Sequence, residues 1–297
     1  MSKIFKTSIS FLFTIGLLYS ITSCSTDIDY NPPDIKRSIA IYSILKPDSL
    51  LSVFVTRSQN LNDEDIAYVS DATVKILDEN GMLLDSALYT GDGLYQSKFK
   101  IIENQKITIN VESSGFDAVN ASDYTPQKVI IKKAEYLRSF EYDPINDYEY
   151  GLLTLVFQDN PNDKNFYEIV LLNDHQNGSF GRLTPFIISN EFVSINSNEL
   201  DRPRSILFND VLCNGKEIVL RIKVHSSMAP YVVVRNTTET YYRYQKSLYT
   251  YLYTQPEQND RYFNIDPVNV FTNVTNGFGI VAGYCQDEYQ SVNINEE

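Results

Sequence analysis

Two histidines, three cysteines and a run of tyrosines are the side chains in this sequence best suited to chemistry. His175 stands in the polar stretch Asn173-Asp174-His175-Gln176-Asn177-Gly178, where an imidazole could serve as a base or a metal ligand, but no spacing supplies it with a partner. His225 alternates with Arg221 and Lys223, opposite Leu220, Ile222 and Val224, which places it on the polar side of a strand. No His-Glu-x-x-His pair, Gly-x-Ser-x-Gly elbow, phosphate-binding glycine loop or dinucleotide fingerprint occurs, and Gly178-Ser179-Phe180-Gly181 is too short for the elbow. No catalytic residue is assigned, although a Ser-His-Asp site assembled from distant residues stays open, because such sites are defined by geometry. Three acidic loops, Asn62–Asp65, Asp143–Asp147 and Asp159–Asp163, offer oxygen ligands of the kind Ca²⁺ takes. None has EF-hand spacing, and Asp/Asn clusters are ordinary turn chemistry. No metal or cofactor is expected.

The densest aromatic cluster lies between Val234 and Tyr284. Tyr241, Tyr244, Leu248 and Tyr251 recur at helical spacing and predict a buried stripe on a helix over 237–253. Asn236 and Glu239 fit its N-terminal cap. Tyr242, Lys246, Tyr249 and Tyr253 flank the stripe. Two readings stand side by side. Tyr241, Tyr242, Tyr244, Tyr249 and Tyr253 could line a ligand surface, since a phenol offers a flat ring and a polar tip. Alternatively the same helix simply packs on a sheet. Beyond it, Pro267 opens an expected strand at Val268–Val270, Asn276-Gly277 is a turn, and Ile280–Ala282 is a short apolar run.

The chain begins with Lys3 and Lys6, an apolar run from Ile9 to Ile21, and then Ile21-Thr22-Ser23-Cys24. These are the charged, apolar and small-residue regions of an export signal over residues 1–23, and the run is short for a membrane span. A cysteine at this point resembles the bacterial lipoprotein cleavage box. The resemblance implies lipidation of Cys24, and several acyl chains on one residue anchor stably without a spanning helix. Asp27 and Asp29 just after it resemble the surface-export signal of Bacteroidota lipoproteins, so the cell surface is expected, with the periplasmic face of the outer membrane as the alternative. After Cys24 only Cys213 and Cys285 remain, and an oxidising compartment leaves their pairing open.

The chain carries 25 basic and 38 acidic residues, a net charge of −13. Removal of residues 1–23 takes away Lys3 and Lys6 and no acids, which leaves 23 against 38, or −15. Such a balance argues against nucleic acid and against an anionic membrane surface as partners.

Residues 24–35 read as a Pro-containing tether. From 36 to 133, strands are expected at Ser38–Ile44, Leu51–Val55, Ala72–Leu77, Met82–Leu88, Leu94–Ser97 and Lys106–Val111, with Lys128–Ile131 closing the unit. Short strands with Gly and Asn turns predict an Ig-like or prealbumin-like β-sandwich. From 134 to 297, strands at Leu152–Phe157, Phe166–Leu172, Ile187–Ile195, Glu217–Val224 and Val232–Val234 accompany the single principal helix. The fold class is therefore mainly β, a sandwich followed by a β-rich domain whose helix covers one face or edge of a sheet.

The stretch DATVKILDENGMLLDSALYTGDGLYQS resembles the prealbumin-like or carboxypeptidase-regulatory-like modules of bacterial surface proteins. Taken together, the lipobox, that sandwich, the Asp-Asn-Pro turn before Asn165-Phe166-Tyr167-Glu168, the tyrosine-rich helix and Asn273-Val274-Thr275-Asn276-Gly277-Phe278-Gly279-Ile280 resemble domain-of-unknown-function family 4249, whose members are Bacteroidota lipoproteins. Val274, Thr275 and Val281 depart mildly from the family's pattern. Its genes commonly lie beside TonB-dependent outer-membrane receptors. The resemblance thus implies an accessory capture lipoprotein for a TonB-dependent receptor. It carries over no catalytic residue. A structural or adhesive lipoprotein and a hydrolase with a scattered site are the alternatives.

Overall fold

The structure, a computed structural model of the chain, describes residues 36–59, 65–145, 147–172, 186–188, 205–225, 228–253 and 268–294. Cys24, the leader, the tether and His175 lie outside these residues. The first half contains β1 (Ile39–Leu45), β2 (Leu50–Arg57), β3 (Thr73–Leu77), β4 (Leu83–Gly91), β5 (Leu94–Lys100), β6 (Lys106–Glu112) and β7 (Val119–Tyr124). The second contains β8 (Ile131–Asp143), β9 (Tyr148–Gln158), β10 (Phe166–Leu172), β11 (Phe186–Ile188), β12 (Ile206–Asn209), β13 (Glu217–Val224) and β14 (Tyr231–Thr237), then helix α1 (Glu239–Tyr253), β15 (Phe278–Gln290) and β16 (Val292–Ile294).

Among the described residues, eleven strands form one sheet in the order β12-β10-β14-β15-β1-β2-β5-β4-β3-β6-β7, and five form a second, β11-β13-β9-β8-β16. Period-2 alternation builds the first core. Ile39, Ile41, Leu51, Val53, Val55, Ile107, Ile109 and Val111 all point inward and share one cluster. Strands far apart in the sheet order therefore face each other, so this half of the sheet folds over on itself as a sandwich. The second core lies between the five-stranded sheet and β10, β12 and β14, with Phe157, Tyr167, Phe208 and Leu220 at its centre.

The change from one core to the other falls at the β7–β8 connection, between Ala121 and Val129. β15 nevertheless belongs to both halves. Its first part runs parallel to β1, with Ala40 opposite Phe278 and Leu45 opposite Gly283. Its last part runs antiparallel to β14, from Thr237 opposite Tyr284 to Tyr231 opposite Gln290.

Several expected elements differ. Val268–Val270 forms no strand. The segment instead uses one side chain, Asn273, which donates to Val281 O at 2.8 Å and accepts from Val281 N at 3.0 Å, standing in for a neighbouring strand. The run at 280–282 is the middle of a 13-residue strand. β7 and β12 were not expected, and the acidic loop expected at Asp143–Asp147 is the turn of a long hairpin formed by β8 and β9. Of the strand expected at 187–195, the described part is β11, and residues 189–195 lie outside the described set.

β15 can insert only because its backbone is bare where it meets β1. A Cβ on Gly279, which has φ +101°, would lie 1.9 Å from Ile41 O. Gly279→Ala is therefore expected to cost about 3 kcal/mol or more in denaturant unfolding, from steric overlap plus a left-handed φ. Gly81→Ala, with φ +78° and open space around it, carries only the backbone strain, about 1 kcal/mol. Equal costs for the two would refute the close approach.

Candidate functional site

α1 lies on the outer face of the large sheet, across β10, β14 and β15, and its attachment explains where the tyrosines go. The cap is Thr238 and not Asn236, because Asn236 is held in β14 between Tyr167 of β10 and Cys285 of β15. Thr238 Oγ1 accepts from Tyr241 N at 3.2 Å and donates its own hydrogen to Asp123 Oδ2. Gly283 N of β15 donates to the same carboxylate oxygen at 2.9 Å. Asp123 of β7 thus ties helix start and shared strand together. Burial outweighs these donors and pushes its carboxyl up to about 6.

Beneath the helix lies a buried charge pair. Arg235 Nη1 donates to Glu168 Oε2 at 2.7 Å, with only 17% and 3% of the two side chains exposed. Tyr241 donates to the same oxygen at 2.8 Å, Ser205 donates to Glu168 Oε1 at 2.8 Å, and Gln245 donates to Tyr241 at 3.0 Å. Arg235 Nε reaches Gln286 at 3.2 Å, and its guanidinium stacks 4.7 Å from the Tyr284 ring. Burial opposes the Arg235 charge, but Glu168 together with Tyr241 and Tyr284 outweighs it and keeps the guanidinium charged. Burial, then Glu168, holds Tyr241 firmly protonated. Every carboxylate oxygen here already has a donor, so the cluster positions elements and leaves no free base.

The five tyrosines expected to line a surface separate accordingly. Tyr241 and Tyr242 are buried, Tyr241 against Ile280 and Ala282 and Tyr242 against Phe166 and Leu207. Tyr249 is half-buried beside Ser205, with 2.8 Å between the hydroxyls. Tyr244 is half-buried at the helix edge, and the side chain of Tyr253 lies outside the described set. The expected stripe fades after two turns, since Leu248 is half-buried and Tyr251 is 39% exposed.

From Tyr244 an aromatic row continues onto the open sheet. Its ring centroid is 6.3 Å from that of Tyr42 on β1. Tyr42 pairs with Ile280 of β15 on one side and Phe54 of β2 on the other, and Phe54 pairs with Leu94 of β5. Tyr68 stands edge-on to Phe54 at 5.8 Å. Tyr42 and Tyr68 are each 43% exposed and Leu94 is 38% exposed. Burial first, then the neighbouring Tyr244 and Tyr284, push the Tyr42 phenol up to about 12, so it is a neutral hydrogen-bonding group. With Tyr244 these residues come from five separate segments, and only the alternation of Tyr42, Phe54 and Leu94 with the inward Ile41, Val53 and Tyr95 hinted at a shared face.

The remaining candidates are placed plainly. Cys213 and Cys285 are both buried free thiols, so the disulfide left open from the sequence is not formed. Cys213 packs in the second core, while Cys285 Sγ meets Glu103 Oε1 at 3.5 Å. Burial raises both, to about 11 and about 12. His225 is exposed and stacks on Tyr148, with centroids 3.4 Å apart. Among the described residues no trio of His, Cys, Asp and Glu could hold a metal. Asp159, in one of the acidic loops, is buried and receives hydrogen bonds from Tyr167 and Gly215 N, the work of a structural turn.

A model of the family DUF4249, described as a domain of unknown function, matches residues 25–290. The chain belongs to that family. No curated protein matches it. Among solved structures, it is similar to a DUF4785 family protein from Legionella pneumophila, at 10% identity and a TM-score of 0.25, over 69% of this chain and 52% of that one. It is also similar to an alpha-2-macroglobulin mutant from Salmonella, at 10% identity and a TM-score of 0.24, over 73% of this chain and 15% of that one. The DUF4249 chain thus spans about half of the first structure and a small part of the second.

Two stability measurements follow. Glu168→Ala strands a buried guanidinium and is expected to cost about 3 kcal/mol. Arg235→Ala added to that variant should cost less than it does alone, and strict additivity would show that the two groups do not act as a pair. For Asp123 the folded group holds its proton more tightly than the unfolded one, whose ordinary value is 3.8. Its contribution is then fully present below that value and lost as pH rises through about 6, a span worth about 3 kcal/mol. Asp123→Asn should gain stability relative to the parent between pH 4 and 7, and parallel stability curves over that range would rule out the raised carboxyl.

Proposed function

We propose that this protein is a lipid-anchored outer-membrane binding protein that captures a ligand for a TonB-dependent transporter, held to the membrane through Cys24 and facing the cell surface. The observation that carries a binding role is the row of exposed Tyr42, Tyr68 and Leu94 around half-buried Phe54, continuous with Tyr244 of the helix. Flat rings with polar tips on a rigid sheet make a contact surface with little entropy to lose on binding. Beneath it, the Glu168–Arg235 pair is engaged in fixing the helix and offers no open acid–base couple. Support for the membrane anchor comes from the leader and the cysteine at its end. Support for the transporter comes from the family resemblance.

A pull-down of the lipidated protein from mild-detergent outer-membrane extract tests the reading. Near-stoichiometric recovery of one TonB-dependent receptor is expected, and Cys24→Ala should release the chain from the membrane fraction. Recovery of no barrel from cells grown on several nutrients would sink the transporter role and leave a free-standing structural or adhesive protein. Paired Tyr42→Ala and Tyr68→Ala changes should lower ligand retention at least about tenfold, which corresponds to about 1.4 kcal/mol, with little change in melting temperature.

A further inference from the structure

The β8–β9 hairpin outruns the sheet that supports it. β16 pairs with β8 only at Glu135–Leu137, and β13 pairs with β9 only from Gly151 onward. Between them the two strands continue alone, with Glu141 opposite Tyr150, Tyr142 opposite Glu149 and Asp143 opposite Tyr148. An isolated two-stranded ribbon is marginal in water, yet this one is braced at every level. His225 stacks on Tyr148, the residue opposite Asp143, Lys223 pairs with Glu141 at 2.6 Å, Ser139 donates to Glu149 at 2.6 Å, Tyr142 donates to Asp147 at 2.7 Å, and Asp143 Oδ1 accepts from Ile145 N at 2.9 Å. At the end of this braced ribbon Ile145 is 90% exposed and Tyr142 is 57% exposed. Together they present apolar surface at the end of a braced strand pair, which a partner with an apolar slot would bury with little ordering of the backbone to pay for.

Charge narrows the partner. Residues 138–150 carry Glu141, Asp143, Asp147 and Glu149 against Arg138, and Lys223 offsets Glu141 from outside, so acids remain in excess. An acidic rim around an apolar tip complements a basic rim around an apolar pocket, and it repels both a second copy of this acidic chain and an anionic bilayer. We propose that the ribbon of residues 138–145 and 147–150 is a docking finger that inserts Ile145 into an apolar slot, ringed by Lys and Arg, on a partner protein. The finger is a separate surface from the aromatic row and does not rest on the capture role.

The test places a photo-crosslinking phenylalanine analogue at position 145 of the full lipidated chain in cells, with the same probe at Ile130 as the off-ribbon control; Ile130 is 60% exposed. The expected result is one discrete protein adduct from position 145 and none of that mass from position 130. Its yield should fall at least about fivefold with Glu149→Lys, and likewise on raising salt well above physiological strength, since exposed charges are screened there. Thermal melting of the Glu149→Lys chain within about 2 °C of the parent would show that loss of the adduct is not loss of fold. No adduct, the same adduct from position 130, an adduct only with a second copy of this chain or with lipid, or a yield indifferent to charge and salt would each overturn the proposal. Retention of ligand by the aromatic row should be unchanged in Glu149→Lys, so failure of the finger and failure of the capture reading are told apart.

Discussion

Everything in this molecule depends on one strand from the end of the chain lying between two from earlier in it. β15 meets β1 through Gly279 and β7 through Gly283, where added Cβ atoms would each come within 1.9 Å of a carbonyl oxygen. At those points the contact is backbone against backbone, and it tolerates no side chain. The first core gains Val281 from this insertion, while the second half gains the ladder from Thr237 to Tyr231. Neither half completes its hydrogen bonding without β15, which meets β1 from the other end of the chain and β14 from just beyond the helix. Such non-local pairing is slow to form, and it couples the two cores into one cooperative structure.

The helix is held to this frame by charge in a place where charge is costly. A buried ion pair is a poor source of net stability, since desolvation consumes much of its attraction. Its value here is positional. Glu168 accepts from Arg235, Tyr241 and Ser205, drawn from three separate segments. An apolar replacement of similar volume would pack, but it would not tell the helix which turn belongs over which strand. Asp123 performs a similar task at the helix start, and its raised carboxyl records how dry that corner is.

Much of this was legible in the sequence, because alternation reports a half-buried strand directly. β1, β2, β6 and β10 fall where their alternating or continuous apolar residues put them. β7 escaped because one of its inward positions is Asp123, which breaks the apolar period while still facing the interior. The helix cap was misplaced by two residues, since Asn236 has the right chemistry for a cap but is claimed by the β14 ladder. The Glu168–Arg235 pair did leave a signal. A carboxylate in the middle of Phe-Tyr-Glu-Ile-Val-Leu-Leu, a run apolar on both faces, must find a cation or a set of donors. Which cation it finds is a matter of sheet register, and register across β14 and β15 is not written in any local pattern.

The division of labour among the tyrosines follows from the same register. A tyrosine needs its ring dry and its hydroxyl satisfied, so its role depends on what lies opposite. Tyr241 meets Glu168 and Arg235 and becomes interior, held by hydrogen bonds at 2.8 and 3.3 Å. Tyr244, one helical turn on, meets Tyr42, and among the described residues no further layer covers the row beyond it. Glu168 and Asp123 fix the helix start over β10, β14 and β15, and the row on β1, β2 and β5 lies beyond the strands that the first turns cover.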